Sequence, residues 1–175
     1  MSFIQTFSGK HFNYLDIQQD AIEIEDIANA LSNICRFAGH LPEFYSAGQH
    51  SVLTSQLVPQ EFALEALLHD AAEAYLQDIP APLKRLLPDY RAIEDQVDAA
   101  IRQKFGLPAV QHPTVKYADL VMLASERRDF EIDDGTHWPM LDGVIPTDQF
   151  VINPVRPGQS YGMFMNRFNQ LMERR

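Results

Sequence analysis

The stretch Ile24-Glu25-Asp26-Ile27-Ala28-Asn29-Ala30-Leu31-Ser32-Asn33-Ile34-Cys35 decides the fold class. Its apolar positions 24, 27, 28, 31, 34 and 35 step by three or four, the spacing that lines one face of an α-helix. The pattern predicts a helix over 24–37, stopped by Gly39. The same period recurs on either side. Residues 44–58 carry Tyr45, Val52, Leu53 and Leu57 and are closed by Pro59, which also suits the first turn of a following helix. Residues 61–76 are strong helix formers, broken by Ile79-Pro80-Ala81-Pro82. Residues 89–105 set Ile93, Val97, Ala100, Ile101 and Phe105 on one face ahead of Gly106. Residues 115–130 are apolar nearly all round through Leu120-Val121-Met122-Leu123-Ala124, as befits a helix in the middle of a bundle. Tyr161, Phe164, Met165, Phe168, Leu171 and Met172 form the stripe of a last helix before the basic end Glu173-Arg174-Arg175. Alternation is confined to 3–7 and 11–15 around Gly9-Lys10, which reads as a small N-terminal β-hairpin. The expected fold class is all-α. Residues 131–158, rich in Asp, Gly and Pro, read as a long irregular connection placed to cover something.

A chain of 175 residues suits one domain over residues 1–175, and 46% hydrophobic with 22% charged residues is ordinary globular composition. Acidic residues number 24 against 14 basic ones, a net charge of −10. That charge argues against duplex nucleic acid and against an anionic membrane surface as partners, so an anionic ligand must meet locally gathered cations. Cys35 is the single cysteine, which excludes an intrachain disulfide and makes a cytoplasmic location the default. The N-terminus lacks a basic segment followed by an apolar one, and no apolar run approaches the roughly 20 residues a bilayer needs. Apolar faces on several helices allow a homo-oligomer.

The chemistry is concentrated in Leu67-Leu68-His69-Asp70-Ala71-Ala72-Glu73, which sets an imidazole and a carboxylate side by side on an otherwise apolar helix. An isolated His-Asp pair usually marks a helix edge, with Asp in solvent and His satisfied in the core. Two neighbours alter that reading. His50 lies on the preceding helix, and a short connection lets the two helices pack antiparallel with His50 facing His69. Asp119 sits in the middle of the most apolar helix, where a buried carboxylate needs a partner such as a metal cation. Two imidazoles and two carboxylates form a mixed nitrogen and oxygen set that suits one divalent transition metal, Mn, Co, Fe, Ni or Zn, better than Mg. Such a metal polarises a phosphoryl oxygen and acidifies a bound water, the equipment for phosphate-ester hydrolysis.

The order His50, His69-Asp70, Asp119 resembles the HD-domain metal-dependent phosphohydrolases, over roughly residues 24–130. The segments Cys35-Arg36-Phe37, Gln49-His50-Ser51 and Asp78-Ile79-Pro80-Ala81-Pro82-Leu83-Lys84 resemble a branch containing bacterial 5′-deoxynucleotidases and compact phage deoxynucleoside triphosphohydrolases. The resemblance implies a compact HD-domain helical bundle, with His50, His69, Asp70 and Asp119 as metal ligands. It also implies Glu73 and Asp78 as catalytic carboxylates, their acid and base roles open, and Arg36 as the phosphate-binding arginine. Arg36 near a helix C-terminus also reads as a cation on the helix dipole. Lys84 is a second phosphate candidate or plain surface, and His40 is a supporting residue more than a substrate contact. The bulky aromatic that crowds the sugar 2′ position in this branch is here Phe37, which also reads as an ordinary core aromatic; unlike tryptophan it cannot donate a hydrogen bond. His11, His112 and His137 carry no motif and read as surface.

The implied activity is hydrolysis of a 2′-deoxynucleoside 5′-monophosphate to deoxynucleoside and phosphate. One rival cuts a deoxynucleoside triphosphate to nucleoside and triphosphate, with room for a second metal arriving with the substrate. Another, from a different class, is a non-catalytic nucleotide-binding module, which would be expected to lack carboxylates such as Glu73 and Asp78. A di-iron oxygenase of the same superfamily would need extra histidines between the His-Asp pair and Asp119, where only His112 lies.

Overall fold

In the computed structural model, which describes residues 1–174, helix α1 (Ile24–Asn33) ends four residues before the position its apolar period suggests. Ile34 turns extended and Cys35 forms an isolated antiparallel bridge with Ser46. The Arg36 amide donates to Tyr45 O at 2.9 Å and the Ala47 amide to Ile34 O at 3.0 Å, so a sheet-like clasp displaces the last helical turn. Residues Arg36–Gly39 then form a distorted 3₁₀ turn in which Phe37 (φ 54°) and Ala38 (φ 51°) both adopt left-handed backbone. That conformation disfavours side-chain-bearing residues and recurs at functional sites.

Helix α2 (Ala47–Thr54) starts at Ser46, whose Oγ accepts from the Gln49 amide at 3.1 Å, and is shorter at both ends than the period over 44–58 predicts. It packs against α1 and α8 (Pro157–Met172) at a close approach. A Cβ at Gly48 would lie 2.9 Å from Ser160 Oγ and 3.1 Å from the Ser32 amide, so glycine is what lets the helices meet. Helices α1, α2 and α8 enclose the main core, where Phe12, Ile22, Leu31, Leu67 and Phe164 are fully buried. Met172, expected on the buried stripe of α8, is exposed at the last turn; Arg175 of the expected basic end lies outside the described residues.

The predicted helix over 61–76 is interrupted. A 3₁₀ turn at Gln60–Phe62 leads into α3 (Ala63–Leu67), then a turn, then α4 (Glu73–Leu76). Short α5 (Ala81–Lys84) precedes α6 (Pro88–Phe105), which closes on Gly106 at φ 63° as expected. Helix α7 (Pro113–Asp129) is not central: it packs on α2 and α3 at one side, with Leu120 and Leu123 half-buried along a cleft. Its near-continuous apolar surface therefore serves two purposes, core on one face and cleft wall on another.

The strands β1 (Phe3–Gln5) and β2 (His11–Asn13) pair antiparallel as expected, and β2 carries Phe12, which stacks on Tyr75 of α4 at 4.0 Å. Among the described residues the fold is thus mostly helical with one two-stranded hairpin, and no helix is long and apolar enough to cross a membrane. The irregular segment after α7 is strapped to the helices. Gln49 bonds Asn153 O and the Val155 amide, Ser125 Oγ accepts from the Thr147 amide at 3.0 Å, and Asp129 accepts from the Ile152 amide at 2.8 Å. Tyr45, Met122 and Ile152 fill a small core beneath it.

Candidate metal centre and cleft

Sequence offers no breaker in Leu68-His69-Asp70-Ala71-Ala72, yet the helix yields there. His69 Nδ1 lies 2.8 Å from Ala66 O, the carbonyl that the Asp70 amide would take in an α-helix. Bonds from Ala71 to Leu68 O, Glu73 to Asp70 O and Ala74 to Ala71 O span three residues instead of four. Such tight turns eclipse positions i and i+3, so Asp70 and Glu73 still share a face, for a reason other than α-helical spacing.

The same His69 bond sets the chemistry of the ring. With Nδ1 engaged by Ala66 O, Nε2 is the end of the ring left to face the cluster, and this buried atom makes no hydrogen bond. His50 is arranged alike: its Nδ1 lies 2.6 Å from Glu126 Oε1, leaving Nε2 as the acceptor end. Both Nε2 atoms face one point. Asp119 Oδ1 lies 3.3 Å from His50 Nε2 and 3.8 Å from His69 Nε2, and Asp70 Oδ2 lies 3.8 and 3.2 Å from the same two atoms. One donor atom from each of His50, His69 and Asp119 falls within 4.8 Å of the others, a group that could hold a metal ion, with Asp70 at its side.

Electrostatics favour positive charge here. Burial opposes protonation of His69, but Asp70 and Asp119 outweigh it and hold the imidazole well above its ordinary pKa. Burial likewise opposes ionisation of Asp119, and the two histidines override it and hold the carboxyl well below the usual carboxylate range. A divalent cation satisfies the same four groups without protons.

Glu126 was not legible as a site residue. Seven positions after Asp119 on α7, it is fully buried and joins His50 to Arg36, whose Nη2 donates to Glu126 Oε2 at 2.9 Å. A carboxylate that fixes the His50 imidazole and one that anchors the neighbouring guanidinium are here the same side chain. Its spacing from Asp119 on an apolar helix was the available signal. Glu126→Gln, which keeps the shape and removes the charge, is expected to weaken metal binding by about ten- to a hundredfold, read by calorimetric titration with Mn. Unchanged affinity would show that the bond to His50 has no bearing on the site.

A cleft of about 530 Å³ opens beside the cluster, within the roughly 300–1,000 Å³ range of small-molecule sites. Arg36, Phe37, Asp70, Glu73, Asp78 and Asp119 all line it. Arg36 is held by Glu126, with Nη1 3.9 Å from Asp70 Oδ2 and its guanidinium 5.7 Å from the Phe37 ring centre. Phe37 is half-buried in the wall and not in the core. Burial, then the charges of Asp70 and Asp78, hold the Glu73 carboxyl well above its ordinary pKa, and Glu73 Oε2 has no hydrogen-bond partner. Asp78 follows Gln77, whose φ of 72° turns the chain after α4, and burial raises its pKa against the pull of Arg36.

Lys84 lines the cleft but is bonded to Glu94 at 2.6 Å. Lys116, unforeseen, reaches Asp119 Oδ2 at 2.8 Å and is well exposed. His40 is exposed and only its amide is engaged, on Phe37 O. Of the histidines read as surface, His11 stacks on Phe3, His112 caps α7 and stacks on Phe62, and His137, paired with Asp142, stands on the cleft rim.

No family profile matches the chain. An uncharacterized protein of Escherichia coli (strain K12), YfdR, is 66% identical over 175 residues, covering 100% of this chain and 98% of its own. An uncharacterized protein of Rhodobacter capsulatus is 36% identical over 121 residues, 63% of this chain and 62% of its own. With two thirds of its positions shared along the whole of both sequences, the chain belongs to the family of Escherichia coli YfdR.

Proposed function

We propose that the chain is an HD-domain metal-dependent phosphohydrolase that cleaves the phosphate ester of a small 2′-deoxynucleotide, with a 5′-monophosphate as the first substrate class. The observation that carries this reading is the convergence of the His50 and His69 Nε2 atoms with Asp70 and Asp119 beside a cleft that also holds Arg36, Glu73 and Asp78. His50, His69, Asp70 and Asp119 would hold a divalent transition metal, Mn, Co, Fe, Ni or Zn, which when bound supplies Lewis-acid polarisation and an acidified water.

The chain's own residues do the rest. Arg36 meets the phosphate, its guanidinium already aimed by Glu126. Hydrolysis moves one proton from the attacking water and delivers one to the departing sugar oxygen. Glu73 and Asp78 are suited to that traffic, since burial pushes both carboxyls up toward the pH at which a carboxyl can hold or release a proton. The exposed Lys116 at the rim favours a second reading, in which a longer phosphate chain is accommodated and triphosphate is the product.

A screen of deoxynucleoside mono-, di- and triphosphates with Mn, Co, Mg and Zn tests the proposal, with products resolved by chromatography. Phosphate with deoxynucleoside supports the first reading and triphosphate the second; no product with any metal rejects both. On the sugar side, Phe37 in the cleft wall leaves a ribose 2′-hydroxyl unpaired or excluded. Matched deoxy- and ribonucleotides should then differ by about 1–3 kcal/mol, roughly five- to a hundredfold in kcat/KM. Phe37→Ala should erase most of that preference, and an unchanged preference would place its origin elsewhere.

A further inference from the structure

Trp138 is the single tryptophan of the chain, and it lies on the irregular strap after α7, in the stretch expected to be a long connection placed to cover something. The strap is not loosely laid at this point. Arg127, on α7, donates to Asp133 and to Thr136 O, and its guanidinium carbon sits 4.7 Å from the centre of the Trp138 ring. Arg127 does not line the cleft, whereas Trp138 does. The guanidinium thus meets the indole from outside the cleft lining, and Trp138 itself borders the cavity.

This wall is apolar in character. Trp138 is flanked by Pro139 and Met140, with Leu120 and Leu123 of α7 completing the surface, while the ionised groups gather at the metal cluster and Arg36. A ligand with one charged and one flat aromatic end matches that division. Indole faces accept any heteroaromatic base by stacking, with little dependence on hydrogen-bonding pattern.

We propose that Trp138, held by Arg127, is the stacking platform for the base of the nucleotide, and so a binding residue that makes the cleft selective for nucleotides over simple sugar phosphates. The inference rests on the phosphohydrolase reading above for the placement of the phosphate at Arg36, and on the Trp138 geometry for everything else. Selectivity among bases is expected to be shallow, because stacking does not read the base edge.

With one tryptophan in the chain, intrinsic tryptophan fluorescence reports on the platform alone. The four 2′-deoxynucleosides, which carry no phosphate, are titrated into the metal-free protein and are expected to quench the emission, whereas 2-deoxyribose 5-phosphate leaves it unaltered. In the Mn-loaded protein, Trp138→Ala should lower kcat/KM for deoxynucleoside monophosphates by roughly ten- to a hundredfold more than for 2-deoxyribose 5-phosphate. Trp138→Phe should restore most of the difference. Absence of quenching by every nucleoside, or an equal loss on both esters, would overturn the proposal. If neither ester is hydrolysed the monophosphate reading fails by itself, and nucleoside quenching still decides the role of Trp138.

Discussion

Glu73→Gln is expected to retain the metal and lower kcat by about a hundredfold or more, the scale at which a positioned acid or base contributes. The side chain is buried beside Asp70 with Oε2 unbonded, in surroundings that push its carboxyl upward. A group that served only packing would be poorly chosen for that position, since burying an unpaired carboxyl is costly. Glutamine fills the same space and cannot accept or release the proton. Metal content and kcat are to be read on the same sample: parent-like turnover with full metal would remove Glu73 from the chemistry, and lost metal would make it a ligand.

The second large effect is loss of the metal itself. Asp119→Ala takes away the carboxylate that lies between His50 and His69, and Asp70 remains to one side. Metal binding is expected to fall below detection and hydrolysis with it, while circular dichroism keeps the helical signal. Ordinary folding with undiminished Mn binding would remove Asp119 from the residues that hold the metal.

Much of the fold was readable because its signals are local. Helices α6 and α8 follow from a clean apolar period with a glycine or a proline at an end, and the hairpin from alternation about Gly9. What escaped depends on partners distant in sequence or on side chains bonding their own backbone. The break after Leu67 follows from one imidazole taking the Ala66 carbonyl, and the early end of α1 from the clasp between Cys35 and Ser46. Neither leaves a mark in composition. Helix α7 misled because a cleft lined by Leu120 and Leu123 looks, in sequence, like core.

The site shows the same division. His69, Asp70 and Asp119 were legible because each is polar against an apolar background, and His50 by its place on the preceding helix; the structure gathers them. Glu126, between Ser125 and the run Arg127-Arg128-Asp129, lacks that contrast, and its role requires knowing that α2 lays His50 and the turn after α1 lays Arg36 against one carboxylate. Lys84, read as a second phosphate candidate or plain surface, lines the cleft and is paired with Glu94, while Lys116 and Trp138 stand on the cleft without a motif to announce them.

Phosphate-ester hydrolysis is proposed to depend on a metal held by the His50, His69, Asp70 and Asp119 cluster. Release of deoxynucleoside, the product common to mono- and triphosphate cleavage, measures it directly when followed in protein stripped with a chelator and then reloaded with Mn or Co. No release is expected from the stripped protein, and about one equivalent of metal per chain should restore it. Release that persists undiminished after stripping, or that no metal restores from any deoxynucleotide, would contradict it.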